Sequence, residues 1–141
     1  MTVITATFEL ATQGNAHIVD ITGHVVQAVQ HSGIRQGLAC IFTPSSTSGI
    51  TTLEYESGAV ADLQRAFEEL VPQDREYRHN LRWGDGNGHS HVRAALLGAS
   101  FTVPVVDGRL TLGTWQQIVF VDFDVRPRRR RIIVQVVGEQ G

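Results

Sequence analysis

"IVFVDFDVRPRRRRIIVQVV", residues 118–137, holds two apolar runs on either side of an arginine-rich break, and how those runs pair decides the fold. Both are rich in Val, Ile and Phe, side chains that suit a pleated surface. The pattern predicts strands over 118–124 and 131–137, joined as an antiparallel pair across "RPRRRR" (126–131). Five arginines fall in that break, which reads either as a phosphate-binding cluster or as a solvated hairpin tip guarding two apolar strands.

Upstream, "SFTVPVV" and "RLTLG" flank Asp107-Gly108, a strong two-residue hairpin signal because both central positions want positive φ. "TVITATFEL" (2–10), "GLACIF" (37–42) and "ITTLEYE" (50–56) read as further strands. Three segments have helical spacing instead. "ITGHVVQAVQHSG" (21–33) presents Val25, Ala28, Val29 and Ser32 as an inward stripe and closes on Gly33, with His24 and His31 on the solvent side. Gly58–Leu70 repeats Val60, Leu63, Phe67 and Leu70, with Ser57 placed to cap it and Pro72 after its end. In "WGDGNGHSHVRAALLG" (83–98), Val92, Ala95 and Leu96 form a stripe that continues to Ala99, Asn87 or Ser90 can cap the start, and Gly98 suits the end. The expectation is one α+β domain over 1–141, with a mostly antiparallel sheet of six to eight strands and about three helices.

Composition narrows the function. A hydrophobic share of 42% against 18% charged is ordinary for a globular domain, and no stretch nears the ~20 apolar residues of a membrane span. A formal net charge of −2 gives no pull toward nucleic acid or an anionic membrane. No basic leader precedes an apolar block at the N-terminus, so a cytoplasmic location is expected. Cys40, the single cysteine, sits in "LACIF" without a disulfide partner and is expected to be buried. All 12 basic residues are arginine, so the hydroxyl-rich "TPSSTSG" loop (43–49), which resembles phosphate-cradling loops, lacks the lysine of a nucleotide P-loop.

Histidines carry the sharpest chemical signal. His89 and His91 straddle the start of the third helix, where free N–H groups and the dipole favour anions and neutral imidazoles. Two residues apart, they diverge by about 200° if both are helical and converge only on extended backbone. His79, in "EYRHN", can return to the same place, so three imidazoles are candidate ligands for zinc or a similar ion. Alternation on "ITTLEYE" puts Glu54 and Glu56 on one face, able to hold Mg²⁺ or accept a proton. Trp115, between Thr114 and Gln116, offers a flat face beside hydrogen-bonding groups.

"FTPSSTSGITTLEYESG", "EYRHN", "GDGNGHSHVRAALLG", "VPVVDGRLTLGTWQQI" and "DFDVRPRRR" together resemble the YjbQ-like family, also called the secondary thiamine-phosphate synthase family. The resemblance implies a compact, β-sandwich-like α+β fold, a homotrimer, and a thiamine-phosphate synthase activity. That activity joins a hydroxymethylpyrimidine diphosphate to a thiazole phosphate and releases pyrophosphate. Glu54, His79, His91, Thr114, Trp115, Gln116 and Arg128 fall on the family's polar positions, whereas Ser46 stands where many members carry a histidine.

Set on that chemistry, His91, His79 and Glu54 are the expected catalytic group, and His79, His89 and His91 the expected metal ligands, for a divalent ion such as Zn²⁺ or Mg²⁺. A small-molecule phosphate substrate would be held by Ser46, Thr47, Asn87, Thr114 and Gln116, stacked by Trp115 and neutralised by Arg82, Arg93 and Arg128. A metal-dependent hydrolase or phosphatase, and a non-catalytic trimer binding a small metabolite, are the alternatives.

Overall fold

The computed structural model describes residues 1–141, in which eight strands and four helices follow in order. They are β1 (Thr2–Thr12), β2 (His17–Asp20), α1 (Thr22–Ser32), β3 (Ile34–Phe42), β4 (Ser48–Leu53), α2 (Ser57–Leu70), α3 (Arg78–Trp83), α4 (Gly88–Leu97), β5 (Ser100–Val106), β6 (Arg109–Leu110), β7 (Gln117–Asp122) and β8 (Arg128–Gln140). The strands form two sheets, β1-β8-β3-β5-β6 and β2-β7-β4, and every neighbouring pair is antiparallel. The α+β, largely antiparallel reading therefore holds, with one helix more than expected.

Strand β7 explains the layering. Ile118 and Phe120 point into a core shared with Ile132, Val134 and Val136 of β8 and Val25 and Val29 of α1. Val119, Val121 and the following Phe123 point the other way, against Phe67 of α2 and Ala94 of α4. The Phe67 and Phe123 rings meet edge to face at 4.7 Å. A strand buried on both faces has no polar side to show, hence its unbroken apolar run.

The two apolar runs of 118–137 do not pair with each other, contrary to expectation. β7 lies between β2 and β4, β8 lies between β1 and β3, and residues 123–127 carry the chain from one sheet to the other. Nor is the arginine break a solvated tip throughout. Arg130 folds back onto Asp122, with Nε 2.7 Å from Oδ2 and Nη2 2.8 Å from Oδ1, and the Asp122 side chain is fully buried. A two-pronged ion pair of this kind needs both strands at one corner, which a crossover between stacked sheets provides.

Close approach fixes β3 against β8. Gly37 lies opposite Gly138, and a Cβ on Gly37 would sit 2.0 Å from the Val137 carbonyl oxygen. Asp107 and Gly108 have φ of 52° and 77°, the positive values the hairpin signal requires. The α1 stripe is buried as read, but Leu70 at the end of α2 is exposed. The cap of α2 is Glu56 rather than Ser57, its carboxylate accepting from the N–H groups of Gly58 and Ala59. Those bonds hold the Glu56 carboxyl below its usual pKa and take it out of strand β4, so Glu54 and Glu56 do not form one strand face. Cys40 is half-buried rather than buried, beside Thr102 and Gln135 on the adjacent strands.

Candidate functional site

Helical phase separates the two histidines of "GHSH". Both lie within α4, so they point in nearly opposite directions. His89 turns inward, 1% exposed, with Tyr77 on one side. Burial and the charge of Arg93 keep its pKa below the ordinary histidine value, against an opposing pull from Glu68. His91 turns outward to the 44–47 loop, its Nδ1 3.1 Å from the Ser46 carbonyl oxygen. A carbonyl only accepts, so Nδ1–H is the donor, and in a neutral imidazole this leaves the Nε2 lone pair outward, the usual preparation of a metal-binding histidine.

His79 of α3 comes to His91 because α3 and α4 touch. A Cβ on Gly88 would lie 2.4 Å from the Tyr77 Cβ, and the Gly88 N–H donates to Asn80 Oδ1 at 2.9 Å. The His79 and His91 rings lie 4.4 Å apart, tilted by 51°. Between the two helices, Asp85 Oδ1 accepts the Asn87 N–H and stands 3.4 Å from His79 Nδ1. That nitrogen is buried without a hydrogen bond. His79, Asp85 and His91 each bring one ligand atom to within 4.8 Å of the others. Zinc bonds of ~2.0–2.1 Å space tetrahedral ligands ~3.3 Å apart, a tighter spacing than the outer limit of this group.

An open cleft of about 440 Å³ has Asp85 and His91 in its lining, together with Ser46, Thr47, Asn87, Asp124, Arg128 and Arg130 among others. Its back wall is a buried charge network. Thr47 Oγ1 donates to Asp124 Oδ2 at 3.1 Å and accepts from Arg130 at 2.8 Å. Arg128 Nη2 stands 3.2 Å from Asp124 Oδ2, while its Nε is buried with no partner. Burial pushes the Asp124 carboxyl up, but the Arg126 N–H, Arg128 and Thr47 together hold it below its usual value. Asn87 links the network to α4, its Nδ2 3.4 Å from Asp124 Oδ1 and its Oδ1 accepting the Val125 N–H.

The other expected residues lie elsewhere. His89 is outside the ligand group, buried behind α4. Arg93 is buried, donating to the Val71 carbonyl and to Glu68 at 2.8 Å, so it clamps α4 to α2. Arg82 is exposed and stacks on Trp83. Glu54, Thr114, Trp115 and Gln116 gather at the far end of the β2-β7-β4 sheet. Ser48 pairs with Asp122 at the cleft end and Leu53 with Gln117 at the other. The six residues of β4, Ser48 to Leu53, span about 17 Å. There Gln116 bonds to Thr52 and the Gly113 N–H, and Trp115 projects into solvent. Asp85, Asp124 and Arg130 were missed. For Asp124 and Arg130 the signal is "FVDFD", where acids alternate inside an apolar run, followed within eight residues by arginines; Asp85, between two glycines, has none.

A family model described as UPF0047 protein YjbQ-like matches residues 6–139. A UPF0047 protein of Methanothermobacter thermautotrophicus is 44% identical over 139 residues, 99% of this chain and 95% of that one. The UPF0047 protein YugU of Bacillus subtilis is 37% identical, covering 94% and 98%. A Sulfolobus solfataricus structure, described as a YbjQ-like protein of unknown function, superposes with a TM-score of 0.93 at 37% identity, over 98% of this chain and 99% of that one. No helix is long and apolar enough to cross a membrane.

These relatives correct the expected thiamine-phosphate synthase. Their names carry no such activity, and the Sulfolobus protein is described as being of unknown function. Within one chain, Trp115, expected to stack a ring, lies at the opposite end of the sheet from the histidines.

Proposed function

Because the chain belongs to the UPF0047 YjbQ-like family, whose name assigns no reaction, we propose a function from the site itself: a divalent metal ion held by His79, Asp85 and His91 receives a small phosphorylated molecule. The single observation that carries this reading is the convergence of those three ligand atoms at the rim of a cleft that also holds Arg128. Two imidazoles and one carboxylate favour Zn²⁺ or a neighbouring d-block ion over Mg²⁺, which prefers oxygen. Three protein ligands leave a position for an exchangeable group, and a phosphate oxygen suits it. The Arg128 guanidinium, part of the same lining and partly exposed, adds a second donor group to the cleft.

Zinc titration of chelator-treated protein tests the assignment. His91→Ala should weaken zinc binding at least a hundredfold while the melting temperature of the metal-free protein stays within a few degrees. Equal affinity in the variant would remove His91 from the site. Inorganic phosphate should bind only to the zinc-loaded protein.

Two finer readings go with this proposal. The first is the homotrimer that the family resemblance implies; large apolar side chains left in solvent, among them Leu81, Trp83, Leu96 and Trp115, suit a chain that self-associates. A neighbouring copy is also the route by which Glu54 and Trp115 would face the cleft. Sedimentation velocity at micromolar concentration should give about three times the chain mass, and a monomer would reject the assembly. An unpaired Cys40 suits a reducing compartment, and the cytoplasm fits it.

A further inference from the structure

The charged cleft has an apolar neighbour. A second trough, about 330 Å³, shares Ser45, Ser46 and His91 with it and runs along α4 over Ala94, Ala95 and Ala99. The two therefore meet at the imidazole proposed to bind the metal. Away from the shared residues, one side is lined by charged and polar groups, and the other by the methyl groups of three alanines, Ser48 and the backbone at Gly98.

The floor of the trough is held firmly. The N–H groups of Thr43 and Ile50 donate to the carbonyls of Ala99 and Gly98 at 2.9 and 3.0 Å, tying the end of α4 to β3 and β4. A Cβ on Gly49 would lie 2.8 Å from the Gly98 oxygen, so this contact tolerates no larger residue. Ala95 lines the trough and is exposed, while Leu96 beside it stands clear of the lining. A longer side chain at 95 would occupy the space. A cavity of about 150 Å³ can accept benzene, so an open trough of 330 Å³ has room for a six-membered ring.

We propose that the ligand of this site is a phosphate monoester with a compact apolar body. Its phosphate faces the metal and Arg128, its ester bond passes His91, and its ring or short alkyl group lies over Ala95. This rests on the metal-and-phosphate reading above and adds the class of molecule. The apolar half supplies affinity by removing hydrocarbon from water, whereas the charged half fixes orientation.

Calorimetric titration of the zinc-loaded protein with inorganic phosphate and with phenyl phosphate separates the two readings. Phenyl phosphate should bind about tenfold more tightly, the gain expected from burying part of one ring face. Ala95→Leu, on an exposed helical position, should cut that advantage below twofold and leave inorganic phosphate unchanged. Equal affinities in the unaltered protein, or an advantage that survives Ala95→Leu, would overturn the monoester assignment alone. Failure of both anions to bind would instead overturn the phosphate reading, and the monoester with it.

Discussion

The two ends of the β2-β7-β4 sheet share strands and differ in almost everything else. At the Ser48–Asp122 end, two buried aspartates are held by two arginines and by Thr12 and Thr47, beside a loop that meets His91 of α4. At the Leu53–Gln117 end, neutral amides close a turn: the Gln117 side chain accepts the Tyr55 N–H and donates to the Thr114 carbonyl. Removing a charge from water costs several kcal/mol per ion, whereas solvated amides cost almost nothing. Only the first end therefore has a structure that is expensive to keep, and it is the end where possible metal ligands converge. The lesson is that polar residues signal a site when burial makes them costly, and signal little when they sit in a turn.

The largest effect expected from this contrast comes from breaking the buried pair. Asp122→Ala leaves Arg130, mostly buried, without its two-pronged partner and should cost about 3–5 kcal/mol in urea unfolding. Gln117→Ala at the opposite end should cost about 1 kcal/mol or less. Similar losses at both ends would erase the distinction.

Next is the contact that brings α3 to α4. Gly88→Ala forces a methyl group against Tyr77 and should destabilise by about 1–3 kcal/mol. Because His79 rides on α3 and His91 on α4, zinc affinity should fall by more than the loss of stability explains. Unchanged zinc binding would mean that the ligands do not depend on how these helices meet.

How far the sequence discloses this arrangement depends on whether a pattern has one structural solution. Asp107-Gly108 has one, a tight hairpin, and α1 shows its buried stripe directly in its spacing. The run from 118 to 137 has two, since a hairpin and a crossover between stacked sheets place the same apolar runs around the same break. Pairing of β7 with β2 and β4, and of β8 with β1 and β3, selects the second, and no local propensity encodes those distant partners. The histidines were ambiguous for a related reason. Starting α4 at Gly88 puts both in one helix and sends them apart, whereas a start two residues later would have left His89 on extended backbone. Asp85, in a loop between glycines, joins the site only through the packing of α3 on α4.

A smaller effect should appear on acidification, and it reports on the buried imidazole. His89 stays neutral in the folded chain at pH values where an unfolded chain takes up a proton, because its folded pKa is lowered. Its contribution is therefore complete above about pH 6.5, the ordinary histidine value, and is lost as pH falls toward the lowered one. Asp124 and Glu68, also lowered, respond only below the ordinary carboxylate range. Melting temperatures between pH 7.5 and 5.5 should fall, and His89→Gln should flatten that slope. An unchanged slope would place the titrating group elsewhere.

The smallest effect is expected at the solvated end, and it is the one that tests whether the two ends act together. Trp115 is 73% exposed, so Trp115→Ala should change the stability of the chain by about 0.5 kcal/mol or less. Within one chain it stands too far from His79 and His91 to alter zinc binding, and chains diluted to monomers should bind zinc as before. In an assembly whose neighbouring copy brings Trp115 to the cleft, the same change should weaken self-association and phenyl phosphate binding together. Loss of neither would leave the two ends independent, and the metal and phosphate site would then be complete in a single chain.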